Sequence, residues 1–306
     1  MKKFRKIWLA LVIIMTILFG CYRYMEIKKV DSSGPVISME GDALQVSIHD
    51  DEAVLLEGIT AVDKKDGDVT SSVIVENISR FYGDNTRMVT YAAFDSDNHI
   101  SKIQRELSYT DYTSPRFELT GSLRFRAGET VNIEKIATAY DCLDGDLSSK
   151  VKISSDTSIN NRVTGFYKIV YEVTNSAGDT VKLPIDIEIY EPYNHEVELV
   201  LEKYLLYYNG EEIDYLDYLK HVRSGNMEYS FEDRAEMENT SVDQETEVAD
   251  EESVVTTAEK ISKNKVTVVS EVETSKPGVY PVYFYYVDET ERYTSEAKEV
   301  MYVVVE

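Results

Sequence analysis

Two short acidic clusters contain the residues of this sequence whose types and spacing could do chemistry. Each follows the pattern Asp-x-x-Asp-Gly-Asp, and the carboxylates are Asp63, Asp66 and Asp68 in the first cluster and Asp141, Asp144 and Asp146 in the second. Hard cations such as Ca²⁺ collect about six to eight oxygen ligands, so these side chains are candidate calcium ligands. The spacing, however, is not that of an EF-hand loop.

The same clusters are also explained by a turn whose backbone conformation requires these residue types. Gly67 and Gly145 can adopt a positive φ, and Asp side chains beside such a glycine accept hydrogen bonds from nearby backbone N–H groups. The pattern therefore predicts a repeated turn, with a calcium site as the alternative and no other cofactor.

The sequence contains no recognisable catalytic motif. His49, His99, His195 and His221 are scattered along the chain, with no paired spacing for zinc. Neither a Gly-x-Ser-x-Gly motif nor a Gly-rich phosphate loop occurs. We expect a protein that is not an enzyme.

The composition limits the partners of the chain. Its 306 residues include 56 Asp and Glu against 32 Lys and Arg, which gives a formal net charge of -24. An acidic surface repels nucleic acid and anionic lipid, so binding to nucleic acid is not expected. The length is sufficient for two or three domains of ordinary size.

Residues 1–30 read as a membrane-targeting segment. The basic start "MKKFRK" is followed by Ile7–Tyr22, which carries no charged side chain. By the positive-inside rule the basic end stays in the cytoplasm and the chain after Tyr22 lies outside the cell. The segment predicts a single-pass anchor at the cell membrane with an extracellular ectodomain.

Cys21 offers a second mode of attachment. The stretch "ILFGC", Ile17–Cys21, resembles the bacterial lipobox, in which the cysteine is lipidated, although Phe19 fits that pattern poorly. Either mode leaves the same ectodomain tethered to the outer face. The second cysteine, Cys142, lies far along the chain, so no disulfide framework is expected, which favours a bacterial surface over a secreted eukaryotic protein.

The acidic clusters belong to a longer internal repeat. Thr60–Asp63 aligns with Thr138–Asp141 at an offset of 78 positions, and "GPVISM" and "SPRFEL" open the two repeats with a proline and an alternating strand. Alternating stretches broken by Gly, Asp, Asn and Ser are typical of antiparallel strands in a sandwich. The sequence predicts two all-β sandwiches, over residues 31–112 and 113–191.

The motifs of this repeat resemble a known family. The order of a proline and strand, then Asp-x-x-Asp-Gly-Asp, then "GFYKIVYEVTNSAG" at Gly165–Gly178, is similar to a tandem immunoglobulin-like domain of unknown function in bacterial surface proteins. That family is related in pattern to the HYR modules and to the Ig-like repeats of some crystal toxins. The resemblance implies seven-stranded Ig-like sandwiches used as spacers or adhesion modules, without catalytic residues.

A third, degenerate Ig-like domain is predicted over residues 192–306. The segment "KPGVYPVYFYYV", from Lys276, aligns with "VTGFYKIVYEVT", from Val163, in the second repeat. An acidic stretch at 223–264 replaces the Asp-Gly-Asp turn. This stretch has few large apolar residues and is expected to be a disordered insertion. Tyrosines are concentrated in this domain, which favours either a recognition surface or a sandwich core.

These patterns together predict tandem Ig-like β-sandwiches after an N-terminal hydrophobic helix. We expect a tethered, non-enzymatic surface protein in which the first two domains form a stalk and the distal third domain binds or adheres. Its partner would be an envelope protein, a host-surface protein or a glycan. The alternatives are a structural spacer of the cell envelope without a specific ligand, and a module that calcium makes rigid.

Overall fold

The computed structural model describes residues 2–29, 33–83, 85–155, 158–192, 197–232, 260–289 and 294–306. The first element is helix α1, Lys2–Lys29, which contains 28 residues. All the strands follow this helix. The predicted fold class, tandem Ig-like sandwiches after an N-terminal hydrophobic helix, is confirmed.

The first module contains seven strands in two sheets. They are β1 Val36–Met39, β2 Ala43–Val46, β3 Ile59–Asp63, β4 Gly67–Asp68, β5 Ile74–Ile78, β6 Thr86–Phe94 and β7 Ile100–Tyr109. One sheet has the order β1-β3-β4 and the other β2-β7-β6-β5. Val89, Tyr91 and Ala93 alternate inward from β6 and are buried between the sheets, as a half-buried strand with a period of two requires.

The second module repeats this arrangement. Its strands are β8 Arg116–Leu119, β9 Arg124–Arg126, β10 Ala137–Asp141, β11 Gly145–Asp146, β12 Lys152–Ser155, β13 Gly165–Thr174 and β14 Thr180–Tyr190. The sheet orders are β11-β10-β8 and β12-β13-β14-β9. Ile169, Tyr171 and Val173 occupy on β13 the inward positions that β6 provides in the first module.

The third module has the same topology and is therefore a complete sandwich. Its strands are β15 Glu198–Leu201, β16 Leu205–Tyr207, β17 Leu219–Ser224, β18 Met227–Ser230, β19 Val266–Ser270, β20 Gly278–Glu289 and β21 Thr294–Val305. The sheet orders are β15-β17-β18 and β16-β21-β20-β19.

Short 3₁₀ helices occur twice in each module, once before the third strand and once before the fifth. They span Glu52–Leu56, Thr70–Ser72, Ile133–Lys135, Ser148–Lys150, Tyr215–Tyr218 and Lys263–Lys265.

The predicted disordered insertion at 223–264 extends too far at both ends, because residues at each end form regular structure. Residues 223–230 form the end of β17 and all of β18, because the pair closes through a tight turn at Gly225, which has a φ of 60°. On the other side, the backbones of Phe231 and Ile261 form a parallel bridge, and Glu232 N–H donates to Ile261 C=O at 3.0 Å. The rest of the predicted insertion, 233–259, lies outside the described residues.

The chain divides into two compact units, Met1–Thr113 with Ser176–Gly178, and Ser114–Asn175 with Asp179–Glu306. The second and third modules therefore share one unit, and their buried residues form one cluster. On β21, Met301 and Val303 alternate with Val300 and Tyr302, and all four are buried. Successive side chains of a strand point to opposite faces, so β21 is buried on both faces. The third module's own core covers one face, and the second module covers the other. The second and third modules therefore pack together in one unit, and the stalk with a distal binding domain stays a prediction.

Candidate functional sites

The Asp-Gly-Asp loops are turns in which the carboxylates accept backbone hydrogen bonds. Asp63 Oδ1 accepts from the N–H groups of Lys65 and Asp66, at 2.7 and 2.9 Å. In the second loop, Asp141 Oδ2 accepts from the N–H groups of Leu143 and Asp144, both at 3.0 Å. These are Asx turns, which hold the chain in place between the third and fourth strands of the first and second modules.

The third carboxylate of each loop forms another local bond. Asp68 Oδ1 accepts from Thr70 N–H and Asp146 Oδ1 from Ser148 N–H, each at 2.9 Å. Hydrogen bonds from the side chain and the backbone of Thr70 lower the pKa of the Asp68 carboxyl, and Ser148 lowers the pKa of Asp146 in the same way. Each aspartate therefore bonds to the first residue of the 3₁₀ helix that follows it.

The second aspartate of each loop, Asp66 or Asp144, has different partners in the two loops, and so does the first, Asp63 or Asp141. Asp66 accepts from both the N–H and the hydroxyl of Ser96, at 2.8 and 2.9 Å, whereas Asp144 pairs with Lys150 at 3.5 Å. Asp141 Oδ1 also accepts from Asn175 Nδ2 at 3.2 Å, while Asp63 Oδ2 is buried and has no hydrogen-bond partner among the described residues.

The structure thus brings the six predicted carboxylates together as two separate turns. Across the residues that the structure describes, no group of three or more His, Cys, Asp or Glu side chains is arranged as a metal site. Most of the aspartate oxygens named above already accept from backbone or side-chain donors, and the bonds to backbone N–H groups within each loop are the arrangement that the turn interpretation predicts.

The N-terminal segment has the properties of a membrane span. Phe4–Met25 is a 22-residue window with a mean hydropathy of 1.9, and none of it is buried against protein. A signal sequence near the N-terminus meets the same criteria. Cys21 lies within this helix with an exposed side chain, so the candidate lipidation site and the candidate span occupy the same segment.

The histidines that the structure describes do not form a catalytic group. His99 Nδ1 lies 2.7 Å from Asp95 Oδ2 within one β-turn of the first module, and His221 is mostly buried on β17 near Arg223. His49 is in a separate loop of the first module, and His195 lies outside the described residues. In the described ranges, no histidine belongs to a group of three or more His, Cys, Asp or Glu side chains that could hold a metal ion.

Sequence reasoning missed a cluster of charged groups inside the unit formed by the second and third modules. Arg124 is almost fully buried, and its Nε donates to Glu188 Oε2 at 2.8 Å. Its guanidinium carbon lies 4.1 Å from the centre of the Tyr190 ring, and Lys298 Nζ contacts the same Glu188 oxygen at 2.9 Å. Burial acts to raise the pKa of Glu188, but hydrogen bonds from Lys298 and Arg124 outweigh it, so this pKa is lowered.

Glu299 is the most strongly perturbed acid of this cluster. Its side chain lies on β21, is buried, and accepts from the Ser122 hydroxyl at 3.0 Å and from Val300 N–H at 2.9 Å. Burial raises the pKa of Glu299 to about 7, because desolvation exceeds the stabilisation from these bonds and from Arg124. The cluster borders a polar cavity of about 300 Å³.

The comparisons with known proteins find only distant and partial likeness. No protein-family model matches the chain. The uncharacterised 81.3 kDa protein of Acholeplasma phage L2 is 22% identical over 168 residues, which cover 52% of this chain and 23% of that protein. The chain therefore spans less than a quarter of the curated relative that it matches.

Two solved structures illustrate the structural neighbours. The CBM51-2 domain in complex with GlcNAc and INT domains from Clostridium perfringens ZmpB has 18% identity and a TM-score of 0.21, covering 49% of this chain and 26% of that one. The protocadherin GammaB4 extracellular domain has 10% identity and a TM-score of 0.19, covering 90% and 50%. Likeness this weak supports no inference about what the chain binds.

Proposed function

We propose that this chain is a membrane-anchored surface protein whose Ig-like sandwiches bind a partner outside the cell and catalyse no reaction. The observation that carries the proposal is helix α1, whose window Phe4–Met25 exposes every apolar side chain. At 1.5 Å per residue this window is about 33 Å long, close to the roughly 30 Å of a bilayer's hydrocarbon core.

An exposed apolar surface of this extent is stable only when it is buried in an apolar environment. Trp8, Leu11 and Phe19 are each more than half exposed in the helix, and contiguous apolar surface in water is strongly unfavourable. A bilayer supplies this environment, and Lys2, Lys3, Arg5 and Lys6 at the preceding end favour a cytoplasmic N-terminus. The sandwiches then face the outside, as the resemblance to the tandem Ig-like domain of bacterial surface proteins implies.

The binding role is proposed for the body formed by the second and third modules. Ig-like modules without a cleft that gathers catalytic groups act through their surfaces, and the partner classes we propose are an envelope protein, a host-surface protein or a glycan. The Asp loops serve as turns in this proposal, so no cofactor is required.

A spacer or scaffold of the cell envelope is the second candidate function. The charged and aromatic junction between the second and third modules favours it, because a packed junction keeps two modules in a fixed arrangement without any ligand.

Membrane attachment and orientation can be tested in cells with the full chain carrying a C-terminal epitope tag. We expect the tag in the membrane fraction and its removal by protease added to intact cells. Recovery of the tag in the soluble fraction, or protection of the tag until the cells are lysed, would contradict the proposal. A Cys21→Ser variant that remains in the membrane fraction would assign attachment to the helix, and its release would assign attachment to lipidation.

Binding can be tested with the full chain in detergent, presented to envelope extracts and host-matrix polymers. Capture of one defined partner would support the binding function. No capture from either source would leave the scaffold function as the better account.

A further inference from the structure

A groove follows one side of the third module, along the outer edge of β19. This strand is the last in the order β16-β21-β20-β19, so its outer edge faces no strand in the described part of the chain. Two depressions of about 590 and 520 Å³ lie beside it, and both are lined by Glu212, Ile213 and Tyr215. The shared residues join them into one groove that runs from Val266 to Thr274.

The equivalent side of the second module carries a depression of about 480 Å³, and hydrogen bonds of the chain tie its two walls together. Gly128 N–H donates to Asn161 C=O at 2.6 Å, and Asn161 Nδ2 donates to Glu129 C=O at 2.8 Å. Ile159 packs against the core beside these bonds. In the third module the corresponding segments are 209–213 and 271–275, and no backbone hydrogen bond joins them among the described residues. The two modules have one topology and a depression on the same side, but in the described part of the chain only the second has these bonds across it.

The edge strand at the groove lacks the features that usually protect such edges. In the first module the edge strand β5 contains a bulge between Val75 and Asn77, and in the second module β12 begins with Lys152. Strand β19 has the sequence Val-Thr-Val-Val-Ser, with regular pairing to β20 and no charged side chain. Bulges and lysines on edges block pairing with a foreign strand, so β19 is the edge best suited to accept one.

The groove is lined by both apolar and polar residues, the polar ones including Asp214 and Ser270, and carboxylates lie at its rim. Ile213, Leu216 and Val268 are half-buried lining residues, and Val272 continues the apolar wall at the far end. The exposed carboxylates at the rim are Glu211 and Glu212 on one side and Glu271 and Glu273 on the other. A strand that enters here would place alternate side chains against the apolar wall and the others near these carboxylates.

We propose that this groove binds an extended peptide segment in which apolar residues alternate with Lys or Arg, and that the peptide adds a strand to β19. Backbone hydrogen bonds to the edge would supply affinity, and the apolar wall and acidic rim would select the sequence. The inference rests on the proposed function only in taking the sandwiches as binding modules. The chain's own acidic stretch "VDQETEVADEES" is a poor occupant, because its charge has the same sign as the rim.

The test is fluorescence anisotropy of a labelled peptide, Lys-Val-Arg-Val-Lys-Val-Lys, titrated with the full chain in detergent. Two matched peptides serve as competitors, one with proline at the central valine and one with glutamate at every basic position. We expect saturable binding of the first peptide and at least roughly tenfold weaker competition by each of the others, because proline removes a ladder donor and glutamate reverses the charge.

The matched protein variants separate the groove from the general acidity of the chain. Glu211→Lys with Glu212→Lys should weaken binding roughly tenfold, whereas Glu52→Lys with Glu57→Lys, an equal change of charge in the first module, should leave it unchanged. All four side chains are exposed, so folding is expected to be preserved.

Hydrogen exchange then reports whether a strand has been added. Peptide should protect backbone amides of β19, which binding by charge alone would not do. The proposal is overturned by absence of saturable binding, by equal competition from the proline peptide, by equal effects of the two double variants, or by unprotected β19 amides. Concentration-dependent dimerisation that buries β19 would also overturn it, since the occupant would then be a second copy. None of these results bears on membrane attachment, which the cell experiment tests separately.

Discussion

The hydroxyl group of Tyr302 bonds to both backbone groups of Asp186. It accepts from Asp186 N–H at 2.9 Å and donates to Asp186 C=O at 3.2 Å. Strand β9 pairs with β14 only from Glu188 onward, so Asp186 lies where that edge of β14 has no partner strand among the described residues. A side chain of the third module therefore completes the hydrogen bonding of a strand in the second.

Tyr302→Phe is expected to destabilise the body that contains the second and third modules. The change removes two hydrogen bonds and leaves the partly buried backbone groups of Asp186 without these bonds, which costs about 1–3 kcal/mol. Urea unfolding of the full chain measures the loss, and Tyr140→Phe, which removes a hydroxyl from a mostly exposed side chain, is the control. Equal midpoints for the two variants would contradict the role of Tyr302.

Tyr171→Phe should destabilise the second module for a different reason. The buried Tyr171 hydroxyl donates to Ile133 C=O at 2.6 Å, and Tyr91 donates to Leu55 C=O at 2.6 Å in the first module. Each bond ties a core strand to the 3₁₀ turn before the third strand, and its loss should cost about 1 kcal/mol. Phe284 occupies the equivalent position of the third module, so loss of the hydroxyl preserves packing. An unchanged unfolding midpoint in Tyr171→Phe would argue against this account.

Asp141→Ala tests the Asx turn. The carboxylate accepts two backbone N–H groups and the Asn175 amide, and alanine would leave these donors unpaired, so we expect a loss of about 1–3 kcal/mol. Glu118→Ala, at an exposed position of β8, controls for the loss of a negative charge. Thermal unfolding followed by circular dichroism would distinguish the two, and similar curves would remove the turn as the reason for the aspartate.

Calcium is expected to leave the stability unchanged. A ligand that binds only the folded state must raise the unfolding midpoint, whereas carboxylates committed to backbone donors have little to offer a cation. The measurement is calorimetry of the full chain with millimolar calcium chloride and with chelator. A midpoint that rises with calcium would restore the alternative in which the Asp loops bind the metal.

The stability of the full chain should depend on pH through Glu299. Its pKa is about 7 in the folded chain, raised by burial from the ordinary value of 4.5. Because the folded state binds this proton more tightly, its contribution is complete below about pH 4.5 and is lost as the pH rises through 7, a change on the order of 3 kcal/mol.

We therefore expect Glu299→Gln to flatten the fall in melting temperature between about pH 4.5 and pH 7. Glu296→Gln, an exposed neighbour on β21, should retain the slope of the unaltered chain. Parallel pH profiles for Glu299→Gln and the unaltered chain would show that this carboxyl does not titrate as its burial implies.

Local patterns in the sequence predicted each module and its turns. Alternation in "GFYKIVYEVT" predicts strand β13, and the repeated Asp63 and Asp141 predict the same turn twice, because both features depend on neighbours a few residues apart. The Ser122–Glu299 bond joins positions 177 residues apart, and no local period encodes it. The burial of both faces of β21 could not be predicted either, because it also depends on contacts with residues that are distant in the sequence.

The parallel strand pairs of these modules have a mechanical consequence. In each four-stranded sheet, the strand that comes first in the chain pairs in parallel with the strand that comes last. These pairs are β2 with β7, β9 with β14 and β16 with β21. Tension applied through the two ends of a module pulls such a pair in opposite directions along its length. All the hydrogen bonds between the two strands are then loaded together in shear instead of being opened one after another. A chain fixed at one end and pulled at the other would therefore meet its strongest resistance at these three pairs.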